Sequence, residues 1–128
     1  MDFTQIVNLV HVKVPKRLAL STDPKTKHLS PKILIVKPNS RLSWQYHNRR
    51  AEIWQVYKGK VGVVQSTMDI ETVMQTYLPG DQIKLEQGMR HRLVGLENYG
   101  VVAEIWQHTD SVPSDEYDII RIQDDFGR

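Results

Sequence analysis

Cysteine is absent from the 128 residues. Disulfides and thiolate metal sites are therefore excluded, and any metal must take nitrogen or oxygen donors from His, carboxylate or amide side chains. No apolar run approaches the roughly 20 residues of a membrane-spanning helix. The opening MDFTQIVNLVHVKV has no basic leader followed by a small-residue cleavage site, so no signal peptide is expected and the cytoplasm is the expected location. A surplus of one charge is also missing. Lys plus Arg number 17 against 15 Asp plus Glu, a formal net charge of +2. Phosphate-backbone binding wants a strong basic surplus, so neither nucleic acid nor membrane is an expected partner. A small anion held by a few local arginines is compatible with this balance.

Hydrophobic residues make up 40% and charged residues 25%, which suits one soluble domain with one sizeable core. Short β-branched segments alternate with turn signals. ILIVK (33–37), EIWQVYKG (52–59), VGVVQS (61–66), ETVMQTYL (71–78), QIKL (82–85), HRLVGL (91–96), VVAEIWQ (101–107) and YDIIRI (117–122) read as strands. Lys58-Gly59-Lys60 reads as a hairpin turn, and Pro38-Asn39-Ser40, Met68-Asp69 and Pro79-Gly80-Asp81 as further turns. Phe3, Ile6, Val7 and Val10 fall at helical spacing behind Asp2, but the density of valine favours a strand there. STDPKTKHLSP (21–31) reads as a loop. Roughly eight to ten strands without a clear helix imply an all-β sandwich or barrel. A single domain is expected over 1–128: N-terminal strand and loop to residue 31, barrel over 32–107, C-terminal segment over 108–128.

In QYHNRRAE (45–52), Gln45 and His47 lie two apart, so a strand points both to one face. A strand opening at Glu52 can aim its carboxylate at the same place. Further on, Gly80 and Gly88 frame a short strand, and His91 opens the next one. If the sheets close on themselves, His91 can become a fourth ligand. Such a mixture of donors suits Mn, Fe, Co, Ni or Zn.

These two segments resemble the paired motifs of the cupin superfamily. The first motif is His-x-His, three or four residues, Glu, six residues, Gly. The second is Gly, five residues, Pro-x-Gly-x-x-His, three residues, Asn. Here Gln45 replaces the first His, Glu86 the Pro and Gly95 the Asn. More narrowly, RLSWQYHNRRAEIW (41–54), HRL (91–93) and YDIIRIQDDFGR (117–128) are similar to type II phosphomannose isomerases. Their segments read close to RLSLQYHHHRAEHW, His-Arg-Leu and DIVRFDDDYGR, and they too carry Gln at the first ligand position. In that family the domain commonly follows a sugar-nucleotide transferase domain; here it is expected to stand alone.

The resemblance implies a double-stranded antiparallel β-helix, the cupin jelly-roll barrel. It implies interconversion of mannose 6-phosphate and fructose 6-phosphate through an enediol(ate), with a divalent transition metal stabilising the oxyanion. The implied metal ligands are Gln45, His47, Glu52 and His91. The implied catalytic residues are Glu52, Arg50 and Arg128, and the implied grip on a small phosphorylated sugar is Arg50, Arg92 and Arg128. Cupins of this size are often dimers, so a homodimer is expected, with an N-terminal strand covering a sheet edge. Pro15-Lys16-Arg17 stands where the family has Pro-Trp-Gly, and Asn48 and Arg49 stand at histidine positions. These departures bear on the substrate. An epimerase or oxygenase cupin, or a non-catalytic sugar binder, fits the same ligands.

Plainer roles exist for the same residues. A metal-free pocket with ordinary hydrogen bonds would also use the four ligands. Arg50 could pair with a surface carboxylate. Arg92 follows His91 and faces the other side of the strand, which suits a structural ion pair or a partner contact. Arg128 is the last residue, where chains fray. Trp44, Trp54 and Trp106 read as core or interface. His11, His28 and His108 lack a partner at ligand spacing and read as surface or loop. Asp124-Asp125 reads as a solvated pair.

Overall fold

Alternation of apolar and polar residues has built nine strands and no helix among residues 31–127, the part of the chain that the computed structural model describes. The strands are β1 (Lys32–Val36), β2 (Trp44–Tyr46), β3 (Arg50–Lys58), β4 (Val61–Ser66), β5 (Gln75–Tyr77), β6 (Gln82–Leu85), β7 (Arg90–Gly95), β8 (Gly100–His108) and β9 (Ile120–Gln123). They form two antiparallel sheets, ordered β1-β8-β3-β6 and β5-β4-β7-β2-β9. This is the expected all-β jelly-roll barrel. The expected N-terminal strand, His11, His28 and Arg128 lie outside the described residues. Among the described residues no helix is long and apolar enough to cross a membrane.

Register explains the core. Trp54 lies opposite Ile83 on one side and Glu104 on the other, and Glu52 opposite Leu85 and Trp106. Paired residues share a face, so Trp54, Ile83, Leu85, Val56 and Val102 form one inward wall, fully buried. Val61, Val63 and Leu93 form the facing wall, with Val63 opposite Leu93. Emptying either wall, as in Trp54→Ala, costs about 3–5 kcal/mol in such cores.

Three expectations change. Lys58-Gly59-Lys60 does not close a hairpin: β3 pairs with β6 and β8, whereas β4 pairs with β5 and β7. Gly59 (φ 74°) turns the chain out of one sheet into the other, and any Cβ there would strike the Tyr99 carbonyl. A cross-sheet corner and a hairpin use the same glycine signal. ETVMQTYL contributes only Gln75–Tyr77, because β4 offers β5 three register positions. YDIIRI becomes a strand only from Ile120, because residues ahead of it turn around Asp118.

Gly95 answers the departure noted in the second motif. A Cβ at this position would run into the Lys37 carbonyl, and the Gly95 amide donates to Ser40 O at 2.6 Å. The bare backbone lets the β1–β2 connection cross β7 closely, which delivers β2 to its place beside β7.

Candidate metal centre

Both sheets supply donors. From one sheet, β2 and β7 bring Gln45 and His91 directly opposite each other, so their side chains share the inward face. His47 follows β2 by one residue. From the other sheet, β3 brings Glu52 across the interior. The inward nitrogen and oxygen atoms of His47, Glu52 and His91 lie within 4.8 Å of one another, and all three residues are buried. Glu52 Oε1 is 2.9 Å from His47 Nε2, and Glu52 Oε2 is 3.9 Å from His91 Nε2. Gln45 lines the same cavity, its Oε1 accepting from Ser43 Oγ at 3.0 Å.

The outer nitrogens fix the two rings. His47 Nδ1 lies 2.6 Å from the Asp118 carbonyl and His91 Nδ1 lies 3.0 Å from the Met89 carbonyl. A carbonyl can only accept, so each Nδ1 carries the proton and each Nε2 turns inward, the arrangement that metal-ligating histidines use. His91 Nε2 is buried with no hydrogen-bond partner. A buried lone pair without a partner is costly, and a bound cation would satisfy it. His47 Nε2 faces a carboxylate oxygen, a contact that needs a proton or a cation between the two. The donor set therefore fits a divalent transition metal. Arg50 competes for this space: its Nε donates to Glu52 Oε1 at 2.9 Å and its Nη2 lies 3.3 Å from His47 Nε2.

Electrostatics divide the two cavity carboxyls. Burial alone would push Glu52 up, but the hydrogen bond from His47 and the charges of His91, His47 and Arg50 outweigh it and hold Glu52 well below the usual range. Glu52 also accepts from Trp54 Nε1 at 3.0 Å, so its oxygens are engaged on every side. Glu104, inward on β8, goes the other way. Burial and then the neighbouring Glu52 charge push it up to about 8, with Arg50 and the Trp106 hydrogen bond opposing. Trp54 Nε1 donates to it at 2.9 Å and Trp106 Nε1 at 2.8 Å. Sequence reading missed Glu104; the available signal was an acid at inward parity between Val102 and Trp106.

The arginines separate. Arg50 is buried in the cavity wall, stacked 3.6 Å from the Trp106 ring centroid and bonded to Ser114 Oγ and the Asp115 carbonyl. Arg92 does not reach the cavity. It lies on the other face of β7, donating to the Leu42 carbonyl, Glu71 and Gln123. Its expected grip on substrate is thus corrected to a structural anchor, because adjacent strand residues face opposite ways. Arg49 pairs with Asp115 and Asp118 at 3.3 and 3.9 Å. Trp44, Trp54 and Trp106 are buried as expected, and two of them also donate into the site. His108 is not a loop residue: it ends β8 half-buried and accepts from Ser114 N at 2.9 Å. Asp125 is not merely solvated, since Arg41 grips it at 2.7 and 3.0 Å.

The cavity is small, about 30 Å³, room for one cation or a water. Lys32, Glu116, Ile119 and Arg121 also line it, alongside the metal donors and Glu104.

Comparison with known proteins gives the family and the fold. The family described as mannose-6-phosphate isomerase C-terminal matches residues 10–124. No curated protein sequence matches. Among solved structures, a cupin 2 conserved barrel protein from Salinispora arenicola is similar at 20% identity, with 72% of each chain covered and a TM-score of 0.56. Oxalate decarboxylase from Bacillus subtilis is similar at 16% identity over 73% of this chain and 24% of that one, TM-score 0.62. Oxalate oxidase in complex with glycolate is similar at 15% identity over 73% of this chain and 46% of that one, TM-score 0.60. The chain therefore spans about half the length of oxalate oxidase. At these identities the likeness shows the cupin fold.

Proposed function

Because the chain belongs to the mannose-6-phosphate isomerase C-terminal family, we propose that it is a metal-dependent isomerase of phosphorylated hexoses, interconverting mannose 6-phosphate and fructose 6-phosphate in the cytoplasm. The observation that carries this reading is the buried His47–Glu52–His91 cluster, with both Nδ1 atoms tied to carbonyls and both Nε2 atoms turned inward. Gln45 completes the donor set from the facing position on β2. A divalent cation held there supplies Lewis-acid stabilisation to the oxyanion that forms when a proton moves between adjacent carbons.

The chain's own groups do the rest. Proton transfer needs a carboxyl that is not committed to the metal. As a ligand Glu52 would be committed to the metal, which argues against it as the proton-transfer base. Glu104 lines the same cavity and, among the described residues, forms no ion pair, so proton transfer is assigned to it. Arg50 positions Glu52 and closes one wall. The cavity has room for a cation but not for a hexose, so the sugar would bind across the mouth.

A coupled assay of fructose 6-phosphate formation, with Mn, Co or Zn added, tests the proposal. Turnover is expected in the wild type, with a loss of about 100-fold or more in His47→Ala. Elemental analysis should find the metal in the wild type and not in His47→Ala. Metal bound without isomerisation of any hexose phosphate would point instead to another metal cupin, an epimerase or oxygenase. A sugar bound without metal would point to a non-catalytic binder.

A further inference from the structure

Among the described residues, ion pairing around the cavity leaves one cation over. Arg50 is bound to Glu52, and Lys32 to Glu116. Glu104 is occupied by two indole N–H groups. Of the described arginines, Arg41, Arg49, Arg50, Arg90 and Arg92 each contact a carboxylate within 4.0 Å. Arg121 is the sixth, and among the described residues it has neither a carboxylate nor a carbonyl partner. It is also the one of the six, besides Arg50, that lines the cavity.

Its position is set by register. Arg121 lies on β9, the edge strand, directly opposite Gln45 on β2. Cross-strand partners share a face, with Cβ atoms about 5 Å apart. Arg121 is exposed and also lines the cavity, so its side chain is carried at the cavity mouth. A planar guanidinium is suited to two-pronged binding of phosphate oxygens, and at an open mouth it costs little to desolvate.

We infer that Arg121 anchors the anionic end of the ligand, a phosphate monoester, while the reacting carbons lie at the His47–Glu52–His91 end. The choice of phosphate rests on the isomerase reading above; the anion site itself does not. Sequence reading named Arg50, Arg92 and Arg128 for this role and passed over Arg121, because nothing in YDIIRI marks which strand partner it meets.

The test uses inorganic phosphate as probe on the whole 128-residue chain, followed by NMR of the arginine Nε–H signals. Phosphate should shift one such signal, which is missing in Arg121→Ala. Phosphate affinity should fall roughly tenfold in Arg121→Ala and less in Arg121→Lys. Kinetically, Arg121→Ala should raise KM for mannose 6-phosphate about tenfold with little change in kcat. Equal phosphate affinity in wild type and Arg121→Ala, or no phosphate binding by the wild type, would overturn the anchor. An unchanged KM in an active Arg121→Ala enzyme would do the same and leave the isomerase intact. Arg121-dependent phosphate binding in a protein that isomerises no hexose phosphate would refute the isomerase and keep the anchor.

Discussion

Glu104 illustrates what a barrel interior does to one carboxyl. Held up at about 8, against an ordinary value of 4.5, it keeps a proton in the folded chain that the unfolded chain releases. Between those values the folded state binds more protons, so stability falls as pH rises through about 4.5 to 8 and then levels off. Glu104→Gln cannot titrate. Urea midpoints in EDTA should therefore fall with pH more steeply for wild type than for Glu104→Gln across that window. Parallel profiles would show that Glu104 does not carry the proton. The residue escaped sequence reading because a glutamate between apolar neighbours has no motif of its own. Gln45, His47, Glu52 and His91 were legible for the opposite reason: their spacing resembles a known pair of motifs. For Arg92 the resemblance, which carries residue identity but not strand face, points to the substrate, whereas strand parity points to a structural ion pair, and the structure follows parity.

At the scale of elements, the short β2 depends on a clasp. Asp118 accepts from the amides of Asn48 and Arg49, both at 2.9 Å, and from Ser114 Oγ at 2.6 Å. Its carbonyl holds His47 Nδ1. Burial would push Asp118 up, yet these donors hold it below the ordinary value. Asp118→Ala should cost about 2–3 kcal/mol in urea unfolding and weaken metal binding by roughly tenfold through the loosened His47 ring. A variant with wild-type stability and wild-type metal affinity would show the clasp to be idle. Gly95→Ala should cost about 2 kcal/mol or more, because the new methyl meets the Lys37 backbone rather than a side chain that can swing away. A thermal midpoint unchanged by that substitution would contradict the crossing described here. Strand existence was legible in period-two patterning at these positions. Strand pairing was not: Gly59 reads alike as hairpin or corner, and the 71–74 stretch looks like a strand until its partner runs out.

At the scale of the whole molecule, the site exists only when the barrel closes. His91 lies in one sheet, His47 just past a strand of that sheet and Glu52 in the other; His47 and Glu52 are near in sequence, but His91 comes from far along the chain. A cation bound between them should act as a staple across the sandwich and bind the folded chain alone. Linkage then predicts about 2.7 kcal/mol of added stability at a metal concentration 100 times Kd, or roughly 8–15 °C in Tm for a chain of this size. Calorimetry with and without Zn should show that rise in wild type, its reversal by EDTA, and its absence in His91→Ala. His91→Ala is the sharper control: the inward Nε2 of His91 has no hydrogen-bond partner, so besides the metal donor the substitution removes only the Nδ1 bond to the Met89 carbonyl. A Zn-induced rise of the same size in His91→Ala would mean that the metal stabilises the chain elsewhere. The two-sheet site would then be a polar pocket rather than a metal centre.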